Sequence, residues 1–258
     1  MGIDVLTVDL GPGVRAGFST RAGGVSAEPW RATNLGLGVD DDPRRVLANR
    51  DLLATWAGGP VHFARQTHGT NVLVVDAPRI VGGHVDRQFG DRGASDRGEE
   101  GDALVTDVPG VALGVLVADC VPVLFFDAVS GAAGVAHAGR RGLVGGVLER
   151  TVEALVVLGS RPENLRAVVG PAAGGCCYEV PEQLRAEVAA VVPGSASTTS
   201  WGTPSLDLPA GAVAVLRRRG LRHIQRVPAC TIEDQRFYSY RRDRVTGRFA
   251  GVVRTRPA

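Results

Sequence analysis

The sequence predicts a mixed α/β or α+β fold in one domain over residues 1–258. Three observations carry that reading. Strand-like apolar runs interleave with helical stretches along the whole chain. With 258 residues, 44% of them hydrophobic, the chain can bury a sizeable core. It shows no internal repeat and no clean domain boundary.

Taken in order, Val14 to Ser19 reads as a short strand, followed by a glycine-bearing loop from Thr20 to Ser26 and a second loop from Asn34 to Gly38. Asp42 caps a helix that has Pro43 at its first position and Gly58 after its end. Val46, Leu47, Leu53 and Trp56 are its core candidates, and Arg44, Arg45 and Arg50 its surface. Two strands, Val61 to Gln66 and Val72 to Val75, are joined by Thr67-His-Gly-Thr-Asn71, which places His68 on a tight, hairpin-like connection. From Gly82 to Gly101 the composition turns polar, glycine-rich and mixed in charge, the pattern of a long mobile surface loop with His84 solvated inside it.

The stretch from Val111 to Gly142 organises the chain. Val111 to Val117 is a continuous apolar run, as expected of a strand covered on both faces. Asp119 and Cys120 break it, and Pro122, which cannot donate to a ladder, predicts a bulge or strand edge. Val123 to Phe126 resumes the run, Asp127 to Gly131 supplies a turn, and Gly134 to His137 is a second strand leading into a helix opened by Gly139-Arg-Arg-Gly142. A helix from Leu143 to Leu158, a strand from Arg166 to Val169, a helix from Pro181 to Val192 and a Ser/Thr/Gly-rich connection from Gly194 to Pro204 follow. Asp207 caps another helix, with Pro209 early and Gly220 beyond its end, and His223 to Val227 is a strand with a surface His. In the arginine-rich tail, Phe237, Tyr238 and Tyr240 are expected to pack while the arginines pair with loop carboxylates. No recognised nucleic-acid module surrounds them.

Bulk properties exclude several classes. A net charge of +2 gives no global preference for nucleic acid or membrane. All 29 basic residues are Arg, so Schiff-base chemistry and a Walker-type phosphate loop, which need a lysine, are ruled out. No apolar run is long enough to span a membrane, and the amino terminus lacks the regions of a signal peptide. Four cysteines in a chain of this length do not form a disulfide framework, and the expectation is a soluble, reduced, cytoplasmic protein. Nothing in the sequence sets an oligomeric state.

His68, Cys120 and His137 all fall at ends or breaks of strands. Two imidazoles, one thiolate and a water suit a catalytic zinc, although the separations are too wide for a local knuckle. A buried thiol with two hydrogen-bonded histidines is the plainer alternative. Arg140 and Arg141 follow His137 at a helix start, where free N–H groups and guanidinium groups can hold an anion.

The blocks TRAGGVS, QTHGTNV, GDALVTDVPGVALGVLVADCVPVLFFD, GVAHAGRRG, GPAAGGCCYEV and QRFYSYRRDRVTGR run in order over nearly the whole chain. Jointly they resemble the YfiH, or peptidoglycan editing factor, family, also labelled multicopper polyphenol oxidase (laccase-like). The resemblance implies an α+β fold of four layers, α/β/β/α, with mixed sheets in a single domain, the YfiH-like cysteine hydrolase fold. It implies a His-Cys-His metal site on His68, Cys120 and His137 with zinc as cofactor and copper as the other candidate. The implied activity is purine nucleoside phosphorolysis of adenosine, inosine and methylthioadenosine, with adenosine deamination as well. Its partners would be a nucleoside and phosphate, with no nucleic acid and no membrane. Arg141 matches the Arg of the family's HAGWRG and would hold phosphate; Arg21 is a further substrate-binding candidate, and Asp119 a candidate acid/base for the leaving purine. Arg140 stands where the family usually has Trp, a cation replacing an aromatic wall.

A laccase arrangement needs far more imidazoles than the five in this chain, so only single-site copper chemistry remains as a side activity. The alternatives are a cysteine hydrolase editing cytoplasmic cell-wall precursors, with Cys120 as nucleophile and His137 as its base, and a non-enzymatic scaffold.

Overall fold

A computed structural model describes residues 2–76 and 98–256. The polar stretch expected to loop out from Gly82, His84 included, falls almost wholly outside the described residues. In chain order the elements are β1 (Val5–Thr7), β2 (Val14–Ser19), α1 (Pro43–Ala57), β3 (Val61–His62), β4 (Val72–Val74), β5 (Ala103–Thr106), β6 (Ala112–Val117), β7 (Val121–Phe126) and β8 (Ala133–Ala138). There follow α2 (Arg140–Gly145), α3 (Val147–Val157), β9 (Arg166–Val169), α4 (Glu182–Val191), β10 (Ala196–Thr198), β11 (Pro204–Leu206), α5 (Leu208–Arg218), β12 (His223–Arg226), α6 (Tyr240–Asp243) and β13 (Phe249–Thr255).

Two mixed sheets stack face to face. One has five strands in the order β1-β2-β13-β6-β3, the other six in the order β12-β9-β7-β8-β5-β4. Phe18, Leu113 and Val115 from the first sheet meet Leu124, Phe126 and Val135 from the second in a buried layer between them. The outer face of the six-stranded sheet is covered through Leu143, Leu148, Leu155, Val188 and Leu216 of the helices. On the other side, Leu53 and Ala57 of α1 cover Ala112, Ala250 and Val252. Helix, sheet, sheet and helix thus form the expected four layers. Strands β6, β7 and β8 are buried at every residue, which is why their sequence lacks alternation. Among the described residues no helix is long and apolar enough to cross a membrane.

Several local expectations need correction. Pro122 causes neither a bulge nor an edge: it pairs with His137 in regular register within a central strand. It sits opposite Gly170, just beyond the last residue of β9. The Gly170 N–H donates to the Pro122 carbonyl, and only the return bond is lost. The connection around His68 is no hairpin, because β3 and β4 belong to different sheets and the segment crosses from one to the other. The helix expected over Leu143 to Leu158 is two helices, broken at Gly146, which adopts the left-handed conformation. Arg50 is buried, because it shares the stripe Val46, Asn49, Arg50, Leu53, Ala57 that faces the sheet. Its Nε donates to the Leu35 carbonyl and its guanidinium lies over Phe63. The connection from Gly194 contains the hairpin β10–β11, and the tail ends in β13, central to its sheet.

Candidate metal centre and its cavity

The site is built outward from one buried carboxylate. Asp102 immediately precedes β5 and is 1% exposed. Its Oδ2 accepts from the Thr67 and Gly69 N–H groups and from the Thr67 hydroxyl, and its Oδ1 accepts from the His68 N–H. The same Oδ1 lies 2.7 Å from His137 Nδ1, while the His137 N–H donates to the Asp102 carbonyl. One side chain therefore fixes both the loop that carries His68 and the ring of His137. With Nδ1 held, Nε2 of His137 remains as the ligand atom, the usual carboxylate–histidine support of a metal ligand. Gln66 pins the start of the same loop: its Nε2 donates to the Leu116 carbonyl and its Oε1 accepts from the Leu116 N–H, completing the edge of β6 where β3 ends.

Cys120 follows Asp119 at the junction of β6 and β7, and its Sγ lies 3.7 Å from His68 Nε2. The rings of His68 and His137 meet edge to face with centroids 4.7 Å apart. One ligand atom from each of His68, Cys120 and His137 lies within 4.8 Å of the other two. His68 and Asp119 hold positive φ values of 59° and 86°, a conformation that costs non-glycine residues on the order of 1–3 kcal/mol each. Gly139 is required by contact: a Cβ there would lie 2.9 Å from His68 Cδ2 and 3.0 Å from Cys120 Sγ.

Electrostatics follow from this packing. Burial opposes the Asp102 charge, but hydrogen bonds from His137 and from the Gly69 and Thr67 N–H groups outweigh it and bring its pKa down to about 2. Burial likewise opposes a thiolate at Cys120, yet attraction to His137 and hydrogen bonding by His137 and His68 lower it to about 6. His137 moves the other way, to about 9: burial disfavours its charge, and Cys120 and Asp102 more than compensate. The donor set, one activated thiol and two oriented imidazoles, fits a tetrahedral zinc or a copper ion with a position left for water or substrate.

These groups sit in the wall of a cavity of about 460 Å³. Arg65, Arg140, Arg241 and Arg248 bring four guanidinium groups to its lining, and Tyr178 and Tyr240 bring aromatic surface. Arg241 lies 4.6 Å over the Tyr178 ring and donates to the Glu179 carbonyl. Tyr240, expected to pack inside, is half-exposed at this rim, while Phe237 and Tyr238 are buried as expected.

The other predicted site residues divide. Asp119 lines the cavity, but its Oδ1 accepts from the Thr231 hydroxyl and its Oδ2 from the Arg241 N–H. Arg141 does not line the cavity; Arg140 does, since successive side chains on a helix point about 100° apart. Arg21 is also outside the lining: its Nε donates to the Arg31 carbonyl and its guanidinium lies over the buried Tyr238. Asp102 was missed by the sequence reading. Its one signal is an acid, third after Glu99 and Glu100, directly before the run Ala103 to Thr106, a place where burial forces a charge to find partners.

Residues 15–256 match the family described as multi-copper polyphenol oxidoreductase laccase. The chain belongs to that family. A purine nucleoside phosphorylase of Streptomyces coelicolor is 50% identical over 244 residues, covering 93% of this chain and 95% of that protein. One from Mycobacterium tuberculosis is 44% identical over 243 residues, covering 93% and 91%. Among solved structures, the YfiH protein of Bacillus licheniformis superimposes with a TM-score of 0.82 at 33% identity, over 94% of this chain and 92% of that one. YlmD of Geobacillus stearothermophilus gives 0.82 at 34% identity, over 95% and 93%.

Proposed function

We propose that this chain is a zinc-dependent purine nucleoside phosphorylase, acting on adenosine, inosine and methylthioadenosine and deaminating adenosine at the same centre. The observation that carries the reading is that His68, Cys120 and His137 converge on one cavity that also holds four arginines. Relatives at 44–50% identity bear the name purine nucleoside phosphorylase.

A bound divalent cation supplies Lewis-acid polarisation and a lowered pKa for coordinated water. The chain supplies the rest. Arg140, on the cavity side of the helix start, holds phosphate beside His137, and the Tyr178–Arg241 stack and Tyr240 offer flat surface to a base. Phosphorolysis breaks the bond from ribose C1′ to the base nitrogen and forms one from C1′ to a phosphate oxygen, and the leaving base nitrogen takes up the proton that the attacking hydrogen phosphate gives up. Asp119, bound to Thr231 and the Arg241 backbone, positions the tail that carries Tyr240 and Arg241, which favours that role over the acid/base role expected from sequence. A cytoplasmic location accords with the free state of all four cysteines. Cys120→Ala, assayed with adenosine and phosphate, is expected to form no ribose 1-phosphate above background; undiminished formation refutes the assignment.

One observation favours a second reading. Asp102, His137 and Cys120 stand in series, with the thiol lowered to about 6, as in a metal-free cysteine hydrolase acting on cell-wall precursors. Full activity in a strong chelator would select it; loss of activity restored by zinc selects the phosphorylase, and restoration by copper with phenol turnover selects oxidation.

A further inference from the structure

A second group of soft donors lies away from this cavity. Cys176, Cys177, Cys230 and Glu233 each place a ligand atom within 4.8 Å of the others, and none of the four lines the cavity. Two tight turns present them in pairs. In the first, the Cys177 and Tyr178 N–H groups both donate to the Gly174 carbonyl, and the turn carries two adjacent thiols. In the second, the Glu233 and Asp234 N–H groups both donate to the Cys230 carbonyl, and Cys230 and Glu233 project from a Cys-x-x-Glu spacing. A bridge between Ala172 and Cys230 holds the turns side by side, with the Thr231 N–H donating to the Ala172 carbonyl.

We infer that this cluster is a second metal site, structural in kind, for a thiophilic divalent cation of the zinc class, with Cys176, Cys177, Cys230 and Glu233 as ligands. Three sulfurs and one carboxylate oxygen are a complete tetrahedral set for such an ion. Cys176 Sγ lies 3.4 Å from Glu233 Oε2, close to the sulfur–oxygen spacing on one tetrahedral ion, and the adjacent Cys176 and Cys177 Sγ atoms, 3.0 Å apart, would part to about 3.8 Å on binding. Outer support is present, because the Gly174 N–H donates to Cys230 Sγ at 3.3 Å. Gly174 also leaves the sulfurs room, since a Cβ there would come within 3.3 Å of Cys176 Sγ and 3.5 Å of Cys230 Sγ. Glu233 is exposed and Cys177 buried, so an ion has a path inward from solvent. The ion would clamp Gly174–Tyr178 to the turn at Cys230, fixing the loop whose Ala173 and Tyr178 face the cavity. This proposal stands independently of the phosphorylase reading.

The test uses the full chain, stripped with chelator under reducing conditions and titrated with cobalt(II). Expected is one cobalt equivalent more per chain in the wild type than in Cys230→Ser, with sulfur-to-cobalt charge-transfer absorption that falls by more than half in that variant. Glu233→Gln, at an exposed position, is expected to weaken the Cys230-dependent equivalent by at least tenfold. Zinc should shield Cys176, Cys177 and Cys230 from alkylation in the wild type, read peptide by peptide, and this needs no variant to fold. The same number of cobalt equivalents in the wild type and in Cys230→Ser, or alkylation of these three thiols at the same rate with and without zinc, would overturn the proposal.

Discussion

The two donor clusters place cysteines at breaks in regular structure, yet they are built for different work. Around His68, Cys120 and His137 the support is a buried charge: Asp102 accepts from three backbone N–H groups and a hydroxyl while holding His137. Two of its donors are imidazoles and the group faces a cavity, which would leave a coordination position of a bound ion open to substrate. Around Cys176, Cys177, Cys230 and Glu233 the support is turn backbone, the donors are complete by themselves, and no member faces the cavity. An open, charge-supported set is arranged for reaction; a closed, turn-supported set is arranged to fix a loop.

That contrast breaks most sharply under paired substitutions. Cys120→Ala is expected to lower kcat/KM for phosphorolysis by roughly 10³-fold or more, the loss of several kcal/mol of transition-state stabilisation. Cys230→Ser is expected to lower it by less than about tenfold, since loosening a loop in the cavity wall costs less than removing a donor from the centre. Equal losses in steady-state assays would erase the distinction. Gly139→Ala comes next. Its Cβ would press on His68 and Cys120, and displacement of about 1 Å at a reactive centre costs on the order of 10²-fold in kcat.

Asp102→Asn sharpens the role of the buried charge. Losing the support of a metal ligand is expected to cost about 10–100-fold in zinc affinity, measured by competition with a chromophoric chelator. Its pH signature has a definite sign. The folded value of about 2 lies below the ordinary aspartate value of 3.8, so the carboxylate contributes stability in full above about pH 4 and loses it as the pH falls toward 2. Wild-type unfolding free energy should drop in that window by an amount that Asp102→Asn does not show. The smallest effects separate two neighbours: Arg140→Ala should raise the KM for phosphate about tenfold, the order of one charge-assisted hydrogen bond, while Arg141→Ala should change it less than about twofold.

The three side chains that converge on the cavity were readable in the sequence, and the carboxylate that supports them was hidden. His68, Cys120 and His137 interrupt apolar runs, so each is visible locally, and the block resemblance joins them. Asp102 escapes because its partners, Thr67 to Gly69 and His137, lie some 33–35 residues away on either side, and no local spacing encodes that meeting. Buried strands β6 to β9 were legible as apolar runs, with β2 and the capped helices α1 and α5. Strand β13 was obscured by arginines on both flanks and Gly251 within it. The short hairpin β10–β11 has a Ser/Thr/Gly composition that reads as loop. Arg141 was favoured over Arg140 by motif matching, and only helix geometry shows which of the two faces inward.

Crystals of zinc-loaded protein, with diffraction recorded on both sides of the zinc absorption edge, test the central claim most directly. The account predicts an anomalous peak bonded to His68 Nε2, Cys120 Sγ and His137 Nε2, opening onto the cavity. Fully active crystals with no peak among those three atoms would contradict it.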